Sequence, residues 1–264
     1  MALPVSLGAA RGLLKELRVA AEDDRPLAIG GPHELAEVLR RELVRGGSPA
    51  AVRVGDPEDA ALYLRVIGRA PTAEDEQALK RARRARVPIV AIAAGPIGDD
   101  VRIPFVLATD VVHVPPGSGF PVEEIAVAIA RKLGEAATPL AARLPVLRDA
   151  VCAYLVESFA RKNAVVAAAV FIPGVDMPLL TLNQLRLVLR IAAAYGEEMN
   201  GDRVPEALAV VAAGLGLRTV ARELLDLVPF AGWALKGAVA YAGTKAVGEA
   251  AIRAAEARAT QPLG

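Results

Sequence analysis

"PLAIGGPHELAEVLRRELVRGGSPAAVRV", residues 26–54, decides the fold of the first part of this chain. A short apolar run, a charged run with apolar residues at helical spacing and a second short apolar run follow one another. A strand, a helix and a strand in that order predict two parallel strands joined by a helical crossover. The alternation continues through "AALYLRVIG" and "VPIVAIAAG". We therefore predict a small α/β domain with a parallel sheet over residues 26–137.

The pattern changes after residue 137. From there to residue 264 the strand signals stop, and long stretches with apolar residues three or four apart take their place. They predict an all-helical domain over 138–264, built from two hairpins at about 138–197 and 204–258. Residues 1–25 predict a short amphipathic helix. The predicted fold class is α/β plus all-α, with a parallel-sheet domain followed by a helical-hairpin domain.

The composition excludes several classes of function. Of 264 residues, 54% are hydrophobic but only 4% aromatic, and the net charge is +1, which argues against a nucleic-acid partner. Cys152 is the only cysteine, so it forms no internal disulfide, and His33 and His113 lie far apart in the sequence. This leaves no metal-ligand spacing, and we expect neither metal nor cofactor. The lack of a leader-like start predicts a cytoplasmic protein.

The connections of the two predicted hairpins are unusually apolar. They read "FIPGVDMPLL" at 171–180 and "LVPFAGWALKG" at 227–237, whereas connections between helices are normally polar. We expect these tips to contact a membrane, a partner protein or the interior of the bundle. The uncharged runs are too short to span a bilayer, so contact with lipid would be peripheral, on the inner face of the cell membrane. The candidate contact residues are Phe171, Ile172, Met177, Phe230 and Trp233.

Alanine occupies every fourth position from 234 to 254 in "WALKGAVAYAGTKAVGEAAIRAA", residues 233–255. Residues four apart form a ridge along a helix, and a ridge of methyl groups lets a neighbouring backbone approach closely. We call these six alanines the alanine ladder. Its first four members, Ala234, Ala238, Ala242 and Ala246, are the candidate helix-packing interface, either within the chain or with a second copy in a homodimer.

The order of elements in residues 26–137 is that of a small P-loop GTPase domain, so the positions of that chemistry can be checked. After Gly30 a phosphate loop requires G-x-x-x-x-G-K-[ST], but the sequence reads "GGPHELAEVL". Pro32 removes an amide, and Glu34 and Glu37 place negative charge where phosphate would bind. No D-x-x-G follows "AALYLRVIG", and no N-K-x-D follows "VPIVAIA". We therefore predict a protein that is not an enzyme.

In an alternative interpretation, the α/β domain still binds a nucleotide, through atypical phosphate contacts. Gly30-Gly31, or Gly117-Ser118-Gly119 in the loop "PPGSGFPVEE", would supply the amides. A structural turn is the simpler interpretation of the second loop. Thr109-Asp110 is interpreted as a cap or turn. The basic run "KRARRAR" at 80–86 is interpreted as a solvated helix face, with attraction to anionic lipid as the alternative.

"VDMPLLTLNQLRLVLRIAAAYGEE" at 175–198, followed by "GLGLRTVARELLDLVPFAGWALKGAVAYAGTKAVGEAA", resembles the YcjF-like family of GTPase-associated domains of bacteria, over about residues 145–257. The resemblance implies a helical, membrane-associated domain preceded by an Era-like GTPase domain, here one that has lost its nucleotide motifs. It supplies no catalytic residues. Together these observations predict a pseudo-GTPase-like adaptor that attaches to membrane lipids or to a protein partner such as a GTPase.

Overall fold

The computed structural model describes residues 7–95, 102–169, 177–198 and 232–260. The chain divides into two compact units. The α/β unit is Asp23–Val151, and the helical unit combines Met1–Glu22 with Cys152–Gly264. Helix α1 (Leu7–Ala21) therefore belongs with the helical unit.

In its described residues the α/β unit contains five strands and four complete α-helices. Its strands all run parallel, in the order β2-β1-β3-β4-β5. The elements are β1 (Leu27–Gly30), α2 (His33–Leu43), β2 (Val52–Val54), β3 (Leu62–Ile67), α3 (Ala73–Arg84), β4 (Ile89–Ala93), β5 (Val111–His113), α4 (Val122–Leu133) and α5 (Thr138–Arg143).

The central strands are buried on both faces because helices cover both sides of the sheet. β1, β3 and β4 consist entirely of buried residues. The chain moves one way along the sheet from β1 to β2 and the other way from β3 to β4. Right-handed crossovers therefore place α2 and α3 on opposite faces. Tyr63 and Ile67 lie in one core cluster with Ala78, Leu79 and Ala82 of α3.

The predicted fold class is confirmed, since a parallel-sheet α/β region is followed by a helical region. The units divide at 151/152, however, and not at the predicted 137/138. Arg143 explains this difference. Its guanidinium donates to the carbonyl oxygens of Asp24, at 2.7 Å, and Arg25, at 2.8 Å, just before β1. Its own carbonyl accepts the N–H of Ser48 at 2.9 Å.

The helical unit holds α1, all but the first four residues of α6 (Arg148–Ala169), α7 (Met177–Ala194) and α8 (Gly232–Ala259). Helices α6 and α7 are antiparallel, because Asn163 pairs with Asn183 and Ala167 packs near Leu180. These contacts form the first predicted hairpin. The first arm of the second hairpin lies outside the described residues. Helix α1 packs on α7, where Glu16 pairs with Arg186 at 2.7 Å.

Candidate functional site

The carboxyl edge of the sheet is the place to look for a ligand site in the α/β unit. In open parallel sheets ligands bind where the strand order reverses, which here is between β1 and β3. β1 ends at Gly30 and α2 begins at His33, so only Gly31 and Pro32 connect them. A phosphate loop needs several more residues to wrap its amides around a phosphate.

At this edge the connections that follow the strands lie in close contact with neighbouring backbone. Gly31 has φ 129°, and a Cβ there would lie 2.2 Å from the carbonyl oxygen of Val66 on β3. A Cβ on Gly95, which follows β4, would lie 1.7 Å from the carbonyl oxygen of Gly68, which follows β3. Backbone thus meets backbone at both sites. Only glycine permits such close approach. These glycines therefore pack against neighbouring backbone at the place where a phosphate would bind.

The first turn of α2 carries the wrong charge for a phosphate site. Pro32 occupies the N-cap and has no N–H to offer. Glu34 lies in the first turn and is exposed, and Glu37 pairs with Arg40 at 3.0 Å. These carboxylates already interact with the positive end of the helix dipole, and they would repel a bound anion.

A buried ion pair lies beside this edge. Arg65 of β3 is only 5% exposed, and its Nε donates to the Asp75 carboxylate at 2.7 Å. Asp75 also accepts the N–H and hydroxyl of Thr72, at 2.8 and 2.7 Å, and forms a capping box at the start of α3. Arg65 further donates to the Tyr63 hydroxyl at 3.2 Å. A Cβ on Gly30 would lie 2.0 Å from that hydroxyl.

The ion pair is electrostatically satisfied. Burial alone would raise the pKa of Asp75, but hydrogen bonds from Thr72 and Arg65 outweigh burial and hold that pKa below its ordinary value. Burial would likewise lower the pKa of Arg65, but the contacts with Tyr63 and Asp75 raise it instead. Both groups therefore stay charged, which fits a structural pair that fixes α3 on β3.

The Gly117-Ser118-Gly119 loop has the geometry of a turn. The hydroxyl and the N–H of Ser118 both donate to the carbonyl of Pro115, at 2.7 and 3.2 Å, and Gly117 has φ 77°. Asp110 ends a short 3-10 turn, as the interpretation of Thr109-Asp110 as a turn predicts, and its carboxylate pairs with Lys132 of α4 at 2.5 Å. Hydrogen bonds within the chain account for the conformations of both segments.

The described helices α6 and α7 do not pack on the alanine ladder of α8. Ala238 and Ala242 are exposed and Ala246 is half-buried, while the side chain of Ala234 lies outside what the structure describes. Residues four apart are offset by about 40° around a helix, so the ladder turns through about 200° over its length. It cannot follow one straight neighbour. Contact of the ladder with residues 199–231, which lie outside the described ranges, or with a second copy stays a prediction.

A different row of small residues makes the close contact. A Cβ on Gly248 would lie 2.5 Å from Val156 of α6, and one on Gly237 would lie 3.2 Å from the carbonyl oxygen of Ala164. These glycines let α8 approach α6 closely. The buried residues of α8 share this face, at steps of three and four: Ala240, Thr244, Val247, Ala251 and Ala255.

A buried polar cluster joins α6, α7 and α8. The Asn163 amide donates to the Thr244 hydroxyl at 2.9 Å, and Asn183 donates to the Asn163 carbonyl oxygen at 2.9 Å. Gln184 reaches the same hydroxyl at 3.4 Å, and Thr244 donates to the Ala240 carbonyl at 2.7 Å. Asn163 and Thr244 are fully buried. Such a cluster favours one register of the three helices, because any slip leaves buried polar groups unpaired.

The predicted hairpin tips fall largely outside the description. Phe171, Ile172 and Phe230 lie outside the described residues. Met177 and Trp233 lie in the first turns of α7 and α8, and their side chains are likewise not described. In the described parts of the chain, no helix is long and apolar enough to cross a bilayer.

The remaining candidate residues stay apart from these features. Cys152 is buried, while His33 and His113 are exposed. Arg65, Asp75, Asn163 and Thr244 belong to no motif recognised in the sequence. A lone arginine inside the apolar run "LYLRVI" is the signal that could have found the first pair. Comparison with family models, curated proteins and solved structures gave no match.

Proposed function

We propose that this chain is a non-enzymatic, pseudo-GTPase-like adaptor. The observation that supports this most strongly is the two-residue turn between β1 and α2, which lies against the backbone of β3 where a nucleotide phosphate would bind. The α/β unit would then act through its surface, and a GTPase is the partner that the resemblance to GTPase-associated domains suggests.

The helical unit is proposed to supply peripheral attachment, through the tips around residues 171–180 and 227–237. The support is the sequence of these segments, where large apolar residues replace the polar residues usual in connections between helices. Membrane lipid and a protein partner both fit this composition. Attachment of this kind needs no spanning helix.

Flotation of the full chain with anionic lipid vesicles tests the attachment. We expect the parent to float and the variant Phe230→Ser/Trp233→Ser to stay at the bottom of the gradient, because the variant loses both aromatic side chains of the second tip. A matched control, Val19→Ser/Val165→Ser, removes two exposed apolar residues of the helical unit, at 61% and 68% exposure, and should float like the parent. A tip variant that is folded by circular dichroism and floats equally well would refute attachment by the tips.

A further inference from the structure

The segment that leads into β5 turns two large apolar side chains toward solvent. Phe105 is 41% exposed and Leu107 is 68% exposed, and we call them the apolar pair. Ile103 is buried in the core cluster beneath α3, and Val106 packs against the same cluster. The segment is thus anchored from inside, while the apolar pair projects outward from a fixed support.

Phe105 adopts a backbone conformation that a bulky residue rarely takes. Its φ is 63°, in the left-handed region, where a side chain crowds its own backbone. Conformations of this kind persist where the surroundings hold them, and they are concentrated at binding sites. The guanidinium of Arg83 lies over the Phe105 ring, 5.4 Å from its centroid, and helps to fix the ring in its outward position.

Arg83, which lies over the Phe105 ring, is one of four exposed basic residues at and just after the end of α3. Lys80, Arg83, Arg84 and Arg86 are all exposed, and we call them the basic rim. Arg83 and Arg84 lie three and four residues after Lys80, so these three share one face of the helix. Arg81 has a partner in Asp56 at 2.7 Å. Within the described ranges, no carboxylate forms an ion pair with any member of the basic rim.

We propose that the apolar pair and the basic rim form a contact site for an anionic membrane surface. Phe105 and Leu107 enter the lipid interface, and the basic rim binds lipid phosphates. The proposal rests on the proposed peripheral attachment and adds to it a second contact, in the α/β unit. In this proposal the basic run at 80–86 binds lipid phosphates, whereas a solvated helix face would bind none.

The size of the patch favours lipid over a protein partner. A stable protein interface buries about 800 Å² on each partner, around several central apolar residues, whereas this patch offers two. In contrast, several weak interactions together can attach a protein to a membrane. A basic cluster beside a small apolar insertion is one such interaction. Unpaired basic residues also attract an anionic surface over roughly a Debye length, about 8 Å in physiological salt.

Flotation of the full chain with two vesicle preparations tests the site. One preparation is phosphatidylcholine with phosphatidylglycerol, and the other is phosphatidylcholine alone. We expect the parent to prefer the anionic vesicles and to detach as salt is raised. The variant Arg83→Gln/Arg84→Gln/Arg86→Gln should bind them roughly 10-fold more weakly or worse. Phe105→Ser/Leu107→Ser should also bind more weakly, with its salt dependence retained.

Matched controls come from the same unit. Arg40→Gln/Arg41→Gln/Arg45→Gln, which we call the α2 variant, removes the same charge from α2 and the turn that follows it. Val38→Ser/Val127→Ser removes two exposed apolar residues, at 39% and 53% exposure. Both should float like the parent. If the α2 variant loses as much binding as the α3 variant, general charge explains the binding and the proposed site is refuted.

The tip variant Phe230→Ser/Trp233→Ser separates the two proposals. If it stops floating while the variants of the apolar pair and the basic rim float like the parent, the tips attach the protein and the site in the α/β unit is refuted. If the reverse holds, the site stands and attachment by the tips fails. If the parent binds neither preparation, the lipid site is refuted, and the patch is then a contact for an acidic protein.

Discussion

Asp75→Ala is expected to destabilise the α/β unit by about 3–5 kcal/mol. The substitution leaves the Arg65 guanidinium buried without its carboxylate, and removing one partner of a buried pair costs this much. It also removes the capping box of α3. Urea unfolding of the full chain, with hydrogen exchange of the β3 amides, measures the loss in this unit. Fluorescence of Trp233, which belongs to the helical unit, should show no matching shift.

Glu74→Ala is the matched control for this prediction. Glu74 also pairs with Arg65, at 3.4 Å, but its side chain is 81% exposed, against 7% for Asp75. An exposed pair contributes about 0–1 kcal/mol, so this variant should unfold almost like the parent. Equal losses in the two variants would contradict the role assigned to burial.

The ion pair also predicts an acid dependence of stability. Since hydrogen bonds and Arg65 hold the pKa of Asp75 below its ordinary value of 3.8, the unfolded chain binds the proton more readily than the folded chain. The stability from the pair is therefore fully present above about pH 4 and is lost as pH falls through the lower, folded pKa. In Asp75→Ala this part of the acid dependence should vanish, and a stability difference that stays constant down to strong acid would refute the assignment.

Gly31→Ala is expected to cost the α/β unit about 3–5 kcal/mol, because it combines a backbone conformation that alanine resists with a Cβ placed 2.2 Å from the Val66 carbonyl oxygen. Gly95→Ala carries the steric term alone and should cost about 1–3 kcal/mol. Hydrogen exchange of the β1 and β3 amides measures both losses.

Substitutions at two further glycines separate the conformational cost from the steric cost. Gly55 has φ 144° and no atom within 4 Å of an added Cβ, so Gly55→Ala isolates the conformational cost. Gly119 has open space and no positive φ, so Gly119→Ala should cost almost nothing. We expect Gly31→Ala to lose more unfolding free energy than Gly55→Ala, and Gly95→Ala more than Gly119→Ala. If neither difference is found, the close backbone contacts at the carboxyl edge are contradicted.

The α/β unit could be predicted from sequence because short apolar runs alternate with amphipathic runs, and that order permits few arrangements of a parallel sheet. The boundary at 137/138 could not be predicted correctly. Helical periodicity in residues 138–151 shows that they form helices, but not which core they join. That choice depends on Arg143, whose hydrogen bonds reach residues 118 and 119 positions earlier in the chain.

The packing face of α8 was ambiguous for a different reason. Its sequence holds two rows of small residues, and periodicity alone does not rank them. The structure buries the row with Thr244 and Val247, where the Thr244 hydroxyl meets its Asn163 partner. The alanine ladder lies beside Glu249 and Arg253, which are exposed and favour solvent on that side. Charged neighbours along a row are therefore a useful signal for the face that stays exposed.

We propose that the α/β unit, whose parallel strands have the order β2-β1-β3-β4-β5, does not bind nucleotide. Calorimetric melting of the full chain with GTP, GDP or ATP and Mg²⁺ tests it most directly. A ligand at 100 times its Kd stabilises the folded state by about 2.7 kcal/mol, which raises Tm by several degrees. We predict no shift with any of the three at millimolar concentration. A clear upward shift that one nucleotide causes and Mg²⁺ alone does not would contradict the claim and favour atypical phosphate contacts through Gly30-Gly31 or Gly117-Ser118-Gly119.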